Sequence, residues 1–263
     1  MMQALLWDVD GTLAETERDG HRVAFNRAFE MRGLPWRWDE AHYGRLLRIT
    51  GGRERLLADL GQRSDAPVAP AEREALAREL HRLKNRCYAE HVSNPGLPLR
   101  DGVAAVMDEA TRRGVRQAIV TTTSRCNVQA LLARHLGPHW QRRFAVVVCG
   151  EDVTAKKPDP EAYQRAVAAL QLPARTLLAI EDNNSGATAA RLADVPVAVT
   201  RSLYFAHDPI EAAVAIGPGL QTRQGWHPAA AKTGTDTDTR PGPVTLDDLA
   251  DWHARMALVS QFD

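Results

Sequence analysis

Hydrophobic residues along this chain fall into short runs that alternate with amphipathic segments. The runs are near-continuously apolar and bounded by turn signals, which is typical of strands covered on both faces; they occupy residues 4–7, 115–120, 144–148, 177–180 and 195–199. Helical spacing separates the later runs and predicts helices over 101–114, 125–136, 159–170 and 184–194. Buried strands that alternate with amphipathic helices predict an α/β fold with a doubly wound parallel sheet.

The alternation stops between residues 15 and 96, where no buried-strand run occurs. Helical spacing in this stretch predicts helices over 15–33, 39–48, 52–60 and 70–92. About 80 residues is far more than one strand crossover needs. We therefore predict a helical cap domain, 15–96, inserted after the first strand of a catalytic core formed by 1–14 and 97–263. The alternative is that these helices simply cover the sheet.

Composition identifies three segments after the insert: the return to the core, a loop and a closing helix. Proline and glycine disfavour helices and strands, so the cluster Asn94-Pro95-Gly96-Leu97-Pro98 marks the point where the chain returns from the insert to the core. Residues 217–243 are rich in Gly, Pro, Thr and Asp, which predicts a loosely ordered, flexible loop within the core. The stretch 245–252 begins with an N-cap residue and an acidic first turn and predicts a closing helix.

Composition places the chain among ordinary globular proteins. It has 263 residues, 44% hydrophobic, and 33 Lys+Arg balance 33 Asp+Glu, so we expect a real core and no long-range attraction for nucleic acid or anionic membranes. No uncharged apolar run approaches the roughly 18 residues of a membrane helix, and the N-terminus has no targeting pattern. We expect a cytoplasmic monomer. The cysteines, Cys87, Cys126 and Cys149, have no metal or disulfide spacing, so we interpret them as core residues in a reducing compartment.

The first strand ends in a pair of carboxylates. Side chains of an extended chain alternate, so Asp8 and Asp10 project to the same side, about 6–7 Å apart. They lie at the carboxyl end of a parallel strand, which is where open α/β sheets bind ligands. Two neighbouring carboxylates repel each other unless a cation lies between them, and hard oxygen ligands suit Mg²⁺. An acidic turn without a metal is the simpler alternative for such a pair.

Polar residues also follow the later strands. Thr121 and Thr122 follow the second strand, Lys157 precedes Pro158 after the third, and Glu181 and Asp182 follow the fourth. Each feature alone has an ordinary explanation as a helix cap, a solvated lysine or an acidic N-cap cluster. Because all of them fall at one edge of the sheet, we interpret the set as a site for a metal and a phosphate.

These motifs resemble those of the haloacid dehalogenase superfamily of phosphohydrolases. Its first motif is similar to Asp8-Val9-Asp10-Gly11-Thr12, its second to Thr121, its third to Lys157 and its fourth to Glu181 and Asp182. The insert resembles the helical cap of the subgroup that contains phosphoglycolate phosphatase and β-phosphoglucomutase. Further stretches, among them 13–17, 36–39, 50–56 and 120–124, resemble the CbbY family. That resemblance implies dephosphorylation of a small phosphorylated sugar, xylulose 1,5-bisphosphate, an inhibitor of the carbon-fixing enzyme Rubisco.

The resemblance implies a role for each core residue. Asp8 is the nucleophile that forms an aspartyl phosphate, and Asp10 is the general acid and base, for which we expect a raised pKa beside an ionised Asp8. Mg²⁺ is the implied cofactor. Its implied ligands are Asp8, the backbone carbonyl of Asp10, and Asp182, with Glu181 nearby, while Lys157, Thr121 and the N–H of Thr122 hold the phosphoryl oxygens.

Residues of the insert are candidates for choosing the substrate. A bisphosphate needs a second anion site, and we select Arg53, Arg55 and Lys84 beside the glycine-rich loop that contains Gly52. Glu17 and His21 are candidates for sugar hydroxyls. Basic residues on such helices are usually a solvated face, and His21 is equally compatible with a surface position.

Three other functions are compatible with parts of this pattern. A phosphosugar mutase similar to β-phosphoglucomutase, or a phosphoglycolate phosphatase, shares the aspartate pair and the cap. A signalling receiver domain also combines aspartate, Mg²⁺, a hydroxyl and a lysine on a doubly wound sheet. Its phosphoacceptor, however, lies later in the sheet, and it lacks a large cap.

Overall fold

The computed structural model describes residues 1–93, 97–211, 213–228 and 237–259, with side chains up to residue 255. Residues 94–96 of the predicted return cluster and residues 229–236 of the predicted loop lie outside the described residues. Within the described ranges, no helix combines the length and the apolar character that crossing a membrane requires.

A seven-stranded sheet forms the centre of the molecule. Its strands lie in the order β3-β2-β1-β4-β5-β6-β7, and every neighbouring pair is parallel except β6 and β7. The predicted α/β fold with a parallel, doubly wound sheet is confirmed. The predicted strands are present with ends that differ by at most two residues; the observed strands are β1 Ala4–Trp7, β2 Arg116–Val120, β3 Val146–Val148, β4 Leu177–Glu181, β5 Val197–Thr200, β6 Ala215–Gly217 and β7 His227–Pro228.

Helices cover both faces of this sheet. They are α5 Val103–Arg112, α6 Arg125–Leu136, α7 Glu161–Leu170, α8 Asn184–Leu192 and α9 Leu246–Val259. Successive residues of a strand point to opposite faces. Leu5 and Trp7 of β1 accordingly belong to the cluster under α5, α6 and α9, while Ala4 and Leu6 belong to the cluster under α7 and α8. All four are fully buried, which is why β1 has no polar face.

The segment after β1 forms a helical block, residues 15–93, with its own aromatic core. It consists of a π-helical turn at Glu17–His21, α1 Arg22–Met31, α2 Glu40–Leu46, α3 Gly52–Gln62 and α4 Pro70–Ser93. Its buried cluster includes Phe25, Phe29 and Trp38, whose rings lie within 6.5 Å of one another. The helix predicted over 15–33 therefore begins with a π-helical turn, which is wider than an α-helical turn and often occurs at functional sites. Its treatment as a separate cap domain stays a prediction.

The flexible loop over 217–243 stays a prediction. Within its described first part, Gly217 ends β6, His227–Pro228 forms β7, and Trp226 is fully buried and stacks on Trp252 with ring centroids 4.4 Å apart. Asp238 pairs with Trp226 through the backbone. The average composition of this segment, which is rich in Gly and Pro, does not reveal the packing of Trp226, because a single tryptophan changes that average little. Cys126 is exposed instead of lying in the core, whereas Cys87 and Cys149 are buried as expected.

Candidate active site

The motifs at the strand ends meet in one cleft between the edge of the sheet and the helical block. The cleft has a volume of about 570 Å³. Of the predicted site residues, all but Asp182 line it; from the core these are Asp8, Asp10, Thr121, Thr122, Lys157 and Glu181, and from the helical block Glu17, His21, Gly52, Arg53, Arg55 and Lys84. Asp182 does not line the cleft and is almost completely buried.

Lys157 lies at the centre of the core side of the cleft. Its Nζ donates to Asp8 Oδ1 at 2.7 Å, to Glu181 Oε1 at 2.6 Å and to the carbonyl of Val120 at 2.9 Å. Burial lowers the pKa of this lysine, but the two carboxylates outweigh that effect and raise its pKa above the ordinary value. The ammonium group is therefore charged. Tyr163, which lies outside the sequence motifs, also donates to Glu181 Oε1.

Three buried carboxylates converge beside this lysine. Carboxylate oxygens of Asp8, Glu181 and Asp182 all lie within 4.8 Å of one another. Burial, together with the charge of Glu181, raises the pKa of Asp8 to about 7 even though Lys157 opposes the shift. Burial and the charge of Asp8 also raise the pKa of Asp182 well above its ordinary value. One lysine cannot balance three carboxylates, so hard oxygen donors with excess negative charge fit a divalent cation such as Mg²⁺.

The turn after β1 leaves room for Asp182. Gly11 has a φ of +83°, and a Cβ at this position would lie only 2.1 Å from Asp182 Oδ2. Glycine is required both for this backbone conformation and for the close approach. Ser202 donates to the same oxygen at 2.6 Å. The sequence motifs do not include Ser202, although its position just after β5, at the same edge of the sheet, is a signal for it.

Asp10 lies outside the carboxylate cluster. Its Oδ1 accepts a hydrogen bond from Thr16 Oγ1 at 2.6 Å and lies 2.9 Å from His21 Nε2. Burial alone would raise the pKa of Asp10, but the charge of His21 and the hydrogen bonds from His21 and Thr16 lower it. In the metal-free site the pKa of Asp8 is raised and that of Asp10 is lowered, which is the reverse of the order expected with metal bound to Asp8. A metal contact through the Asp10 carbonyl stays a prediction.

Thr121 and Thr122 form the loop between β2 and α6. Thr121 is buried, its N–H donates to the carbonyl of Val148 at 3.0 Å, and its Oγ1 accepts from the N–H of Thr123 at 3.2 Å. Gly150 lets the neighbouring loop come close, since a Cβ there would lie 2.4 Å from the carbonyl oxygen of Thr122. The loop is thus tightly held, and both threonines border the cleft beside Lys157.

On the opposite wall, Glu17 and Arg55 are linked through a tyrosine. Tyr43 donates to Glu17 Oε2 at 2.5 Å, and Arg55 Nη1 lies 3.4 Å from Glu17 Oε1. Arg55 Nε also donates to the carbonyl of Ile49 at 2.8 Å. Burial lowers the pKa of Arg55, but Glu17 and Tyr43 outweigh it and raise the pKa. This arrangement holds a charged guanidinium and a carboxylate on the wall of the cleft.

The other predicted cations differ in their surroundings. Lys84 is buried, with Nζ 5.2 Å and 5.3 Å from the ring centroids of Phe25 and Tyr88, and burial lowers its pKa to about 8. The side chain of Arg53 is 43% exposed and pairs with Glu74 at 2.6 Å. Arg53 borders the cleft, but its charge is already compensated. Lys84 is therefore more deeply buried than Arg53.

An ion pair that the sequence motifs do not include lies at the mouth of the cleft. Lys156 Nζ donates to Glu54 Oε2 at 2.8 Å and so connects the core to the start of α3. The small number of lysines in the sequence is a signal for the role of Lys156. The chain contains only four lysines, and three of them, Lys84, Lys156 and Lys157, line the cleft.

Residues 2–194 match the family model of haloacid dehalogenase-like hydrolases. The chain belongs to this hydrolase family. Protein CbbY, plasmid, of Cupriavidus necator is 42% identical to this hydrolase over 219 residues, which cover 83% of this chain and 86% of that protein.

Solved structures of CbbY proteins are also similar to this hydrolase. CbbY from Rhodobacter sphaeroides in complex with phosphate is 37% identical, with a TM-score of 0.76, and the match covers 82% of this chain and 93% of that chain. A mutant of that protein in complex with xylulose-(1,5)bisphosphate is 36% identical, with the same TM-score and the same coverage. The family resemblance expected from the strand-end motifs is confirmed.

Proposed function

We propose that this hydrolase is a Mg²⁺-dependent phosphatase of sugar bisphosphates that acts through an aspartyl phosphate, with xylulose 1,5-bisphosphate as its substrate. The observation that carries the proposal is Lys157, which bridges Asp8 and Glu181 at the edge of the sheet beside a third buried carboxylate. The similarity to a CbbY structure in complex with xylulose-(1,5)bisphosphate supports the choice of substrate.

In the first step, a carboxylate oxygen of Asp8 attacks the phosphorus atom and forms a new P–O bond. The bond from phosphorus to the sugar oxygen breaks, and that oxygen takes a proton from Asp10. In the second step, water gives a proton to Asp10 while its oxygen attacks the phosphorus, which releases phosphate and regenerates Asp8. Covalent catalysis of this kind divides one difficult hydrolysis into two easier steps.

Asp10 needs different protonation states in these two steps. Its contacts with His21 and Thr16 hold it in the ionised form, which is the form that accepts a proton from water. A bound phosphoryl group brings negative charge beside it, and a nearby like charge raises the pKa of a carboxyl group. Substrate binding therefore favours the protonated form that donates to the leaving sugar oxygen, and His21 keeps the carboxyl group in place throughout.

The cluster of Asp8, Glu181 and Asp182 would hold Mg²⁺, with the Asp10 carbonyl as a further proposed ligand. When bound, this cation offsets the negative charge of the carboxylates and the phosphate. Lys157, the Thr121 hydroxyl and the Thr122 N–H are proposed to hold the phosphoryl oxygens. Because the ammonium of Lys157 already bonds to Asp8, it aligns the nucleophile with the group that it attacks.

We assign the second phosphate to the cationic wall formed by Arg55 and Lys84, with Lys156 and Arg53 at the mouth of the cleft. The Arg55 side chain is only 11% exposed, so its charge is poorly screened by water. Glu17, beside it, is placed to accept hydrogen bonds from sugar hydroxyls. The helical block would then act as a cap that excludes bulk water from the aspartyl phosphate.

The experiment that tests this function is a screen of phosphate release with Mg²⁺ over phosphorylated sugars, including xylulose 1,5-bisphosphate, glucose phosphates and phosphoglycolate. We expect the highest kcat/KM for the bisphosphate and trapping of a phosphorylated Asp8 by rapid acid quench. Interconversion of glucose phosphates without net phosphate release would instead identify a mutase. Preference for phosphoglycolate would identify the other phosphatase class, and a stable phosphoprotein without turnover would identify a receiver.

A further inference from the structure

Asp182 is held by neutral hydrogen-bond donors on both of its carboxylate oxygens. Ser202 Oγ donates to Oδ2 at 2.6 Å, and Asn183 Nδ2 donates to Oδ1 at 2.5 Å. A neutral donor orients a carboxylate without cancelling its charge, so the charge stays available to a cation. This differs from Asp8 and Glu181, which both share their charge with Lys157.

Ser202 reaches Asp182 from a different strand. It follows β5, whereas Asp182 follows β4, and the side chains of both are almost completely buried. A Cβ on Gly11 would lie 3.1 Å from Ser202 Cβ and 2.1 Å from Asp182 Oδ2. The carboxylate is therefore enclosed between the glycine turn and the serine, and the serine determines which rotation of the carboxylate fits.

Arg100 fixes the backbone on which Ser202 is carried. Its guanidinium donates to the carbonyls of Thr200 at 3.0 Å and Arg201 at 2.8 Å, the two residues directly before Ser202. The same group also donates to the carbonyl of Gly11. The planar guanidinium of Arg100 thus links the turn at Gly11, after β1, to the residues just before Ser202.

We propose that Ser202 is a positioning residue for the divalent metal, which turns the Asp182 carboxylate toward Asp8 and Glu181, and that Arg100 holds Ser202 in place for this purpose. The inference rests on the metal-dependent function proposed above and extends it to two residues outside the strand-end motifs. Partners that orient metal ligands from behind typically account for roughly 10- to 100-fold in metal affinity. Removing the Ser202 hydroxyl should reduce affinity by a factor in that range.

The test measures direct binding of Mn²⁺ to the full, metal-free chain. The concentration of free Mn²⁺ is monitored by its electron paramagnetic resonance signal. We expect Ser202→Ala to bind Mn²⁺ roughly 10- to 100-fold more weakly than the wild type. Thr111→Ala is the matched control, because it also removes one hydrogen-bonded hydroxyl, shared with Met107 and Gln117, and should bind as the wild type does. Wild-type affinity in Ser202→Ala would overturn the inference.

Arg100→Lys tests the second half of the inference. If Arg100 acts through Ser202, Arg100→Lys weakens Mn²⁺ binding, and combining it with Ser202→Ala weakens binding by less than the product of the two single effects. A multiplicative double variant, or a single variant that lowers the melting temperature without changing Mn²⁺ affinity, would assign Arg100 a purely structural role and overturn that half.

Asp182→Asn separates this inference from the proposed function. If the wild type binds Mn²⁺ more tightly than Asp182→Asn while Ser202→Ala matches the wild type, only the positioning role fails. If Asp182→Asn binds as tightly as the wild type, the proposed metal site fails, and the positioning role fails with it. With saturating Mg²⁺, Ser202→Ala should recover most of its kcat, while the Mg²⁺ concentration for half-maximal activity rises by the factor seen for Mn²⁺.

Discussion

His21 Nε2 lies 2.9 Å from Asp10 Oδ1, and the imidazole ring stacks on Tyr88 with ring centroids 4.3 Å apart. The ring is buried between a carboxylate of the core and a long helix of the helical block. This contact connects the proposed acid and base directly to the proposed cap. It also explains why the pKa of Asp10 is lowered, whereas burial raises the pKa of Asp8 and of Asp182.

Replacing His21 tests this connection. In His21→Ala the charge that lowers the pKa of Asp10 is gone, so that pKa rises and the basic limb of kcat/KM, which reports the protonated Asp10 that the leaving oxygen needs, moves to higher pH. Activity should fall roughly 10- to 100-fold, because a poorly held acid and base loses part of its contribution. His21→Gln, which keeps a donor without the charge, should show the pH shift with a smaller loss. An unchanged basic limb in both variants would contradict the assignment.

Asp8→Asn should abolish turnover, because an amide does not form the aspartyl phosphate. We expect at least a thousandfold loss of phosphate release, on the order of what removing a nucleophile costs, and no phosphorylated protein after acid quench. Circular dichroism should show an unchanged fold. Asp10→Asn is the comparison: it should lose turnover while phosphorylation of Asp8 by an activated phosphate donor remains detectable. Substantial turnover in Asp8→Asn would remove Asp8 as the nucleophile.

The raised pKa of Asp8 predicts a specific pH dependence of stability. Its ordinary value is 3.8 and its value in the metal-free fold is about 7, so the folded state binds the proton more tightly than the unfolded chain. The resulting destabilisation is complete above about pH 7 and is relieved as the pH falls from there toward 4. Without divalent ions, the melting temperature should therefore rise between pH 8 and pH 6 more steeply in the wild type than in Asp8→Asn.

Mg²⁺ provides the control for that experiment. A bound cation favours the ionised carboxylate, so saturating Mg²⁺ should raise the melting temperature at pH 8 and remove most of the difference in slope. For a chain of this size, about 1 kcal/mol corresponds to roughly 2–4 °C in melting temperature. Parallel curves for the wild type and Asp8→Asn in the absence of metal would contradict the raised pKa.

Arg55 and Arg53 offer a matched pair for the second phosphate. Arg55 is buried beside Glu17, whereas Arg53 is half-exposed and paired with Glu74. Arg55→Ala should lower kcat/KM for a sugar bisphosphate roughly 10- to 100-fold, since a charge-assisted hydrogen bond contributes about 1.5–3 kcal/mol. The loss for a small generic phosphate ester should be much smaller, and Arg53→Ala, which removes a guanidinium that Glu74 already pairs, should cost the bisphosphate less than Arg55→Ala does. Equal losses on both substrates in Arg55→Ala would exclude it from the second phosphate site.

The Lys156–Glu54 ion pair predicts coupling between the core and the proposed cap. With 24% and 32% of the two side chains exposed, the pair should contribute about 0.2–1 kcal/mol. Lys156→Met and Glu54→Gln should each raise the KM for a bisphosphate, and the double variant should be no worse than the more affected single variant. The KM values are measured at low and high salt, because screening should reduce the effect of Glu54→Gln. Fully additive effects would show that the pair does not act as a unit.

Much of the core site was predictable because it depends on strand ends. A buried run followed by polar residues identifies the carboxyl edge of a parallel sheet, and Asp8, Thr121, Lys157 and Glu181 all follow such runs. Their meeting is a consequence of topology, since parallel strands bring their carboxyl ends to one edge. The same reasoning extended to β5 would have included Ser202.

Apolar periodicity and motif spacing are local properties, so they were enough to predict the α/β class, the order of the functional residues along the chain and the family. The partner of each charged side chain depends on the three-dimensional fold: His21 lies beside Asp10, Arg55 beside Glu17, and Ser202 beside Asp182. Burial and the distance between charges set a pKa, and both arise from residues far apart in the chain. This is why the structure gives the two aspartates pKa shifts opposite to those expected from their motif.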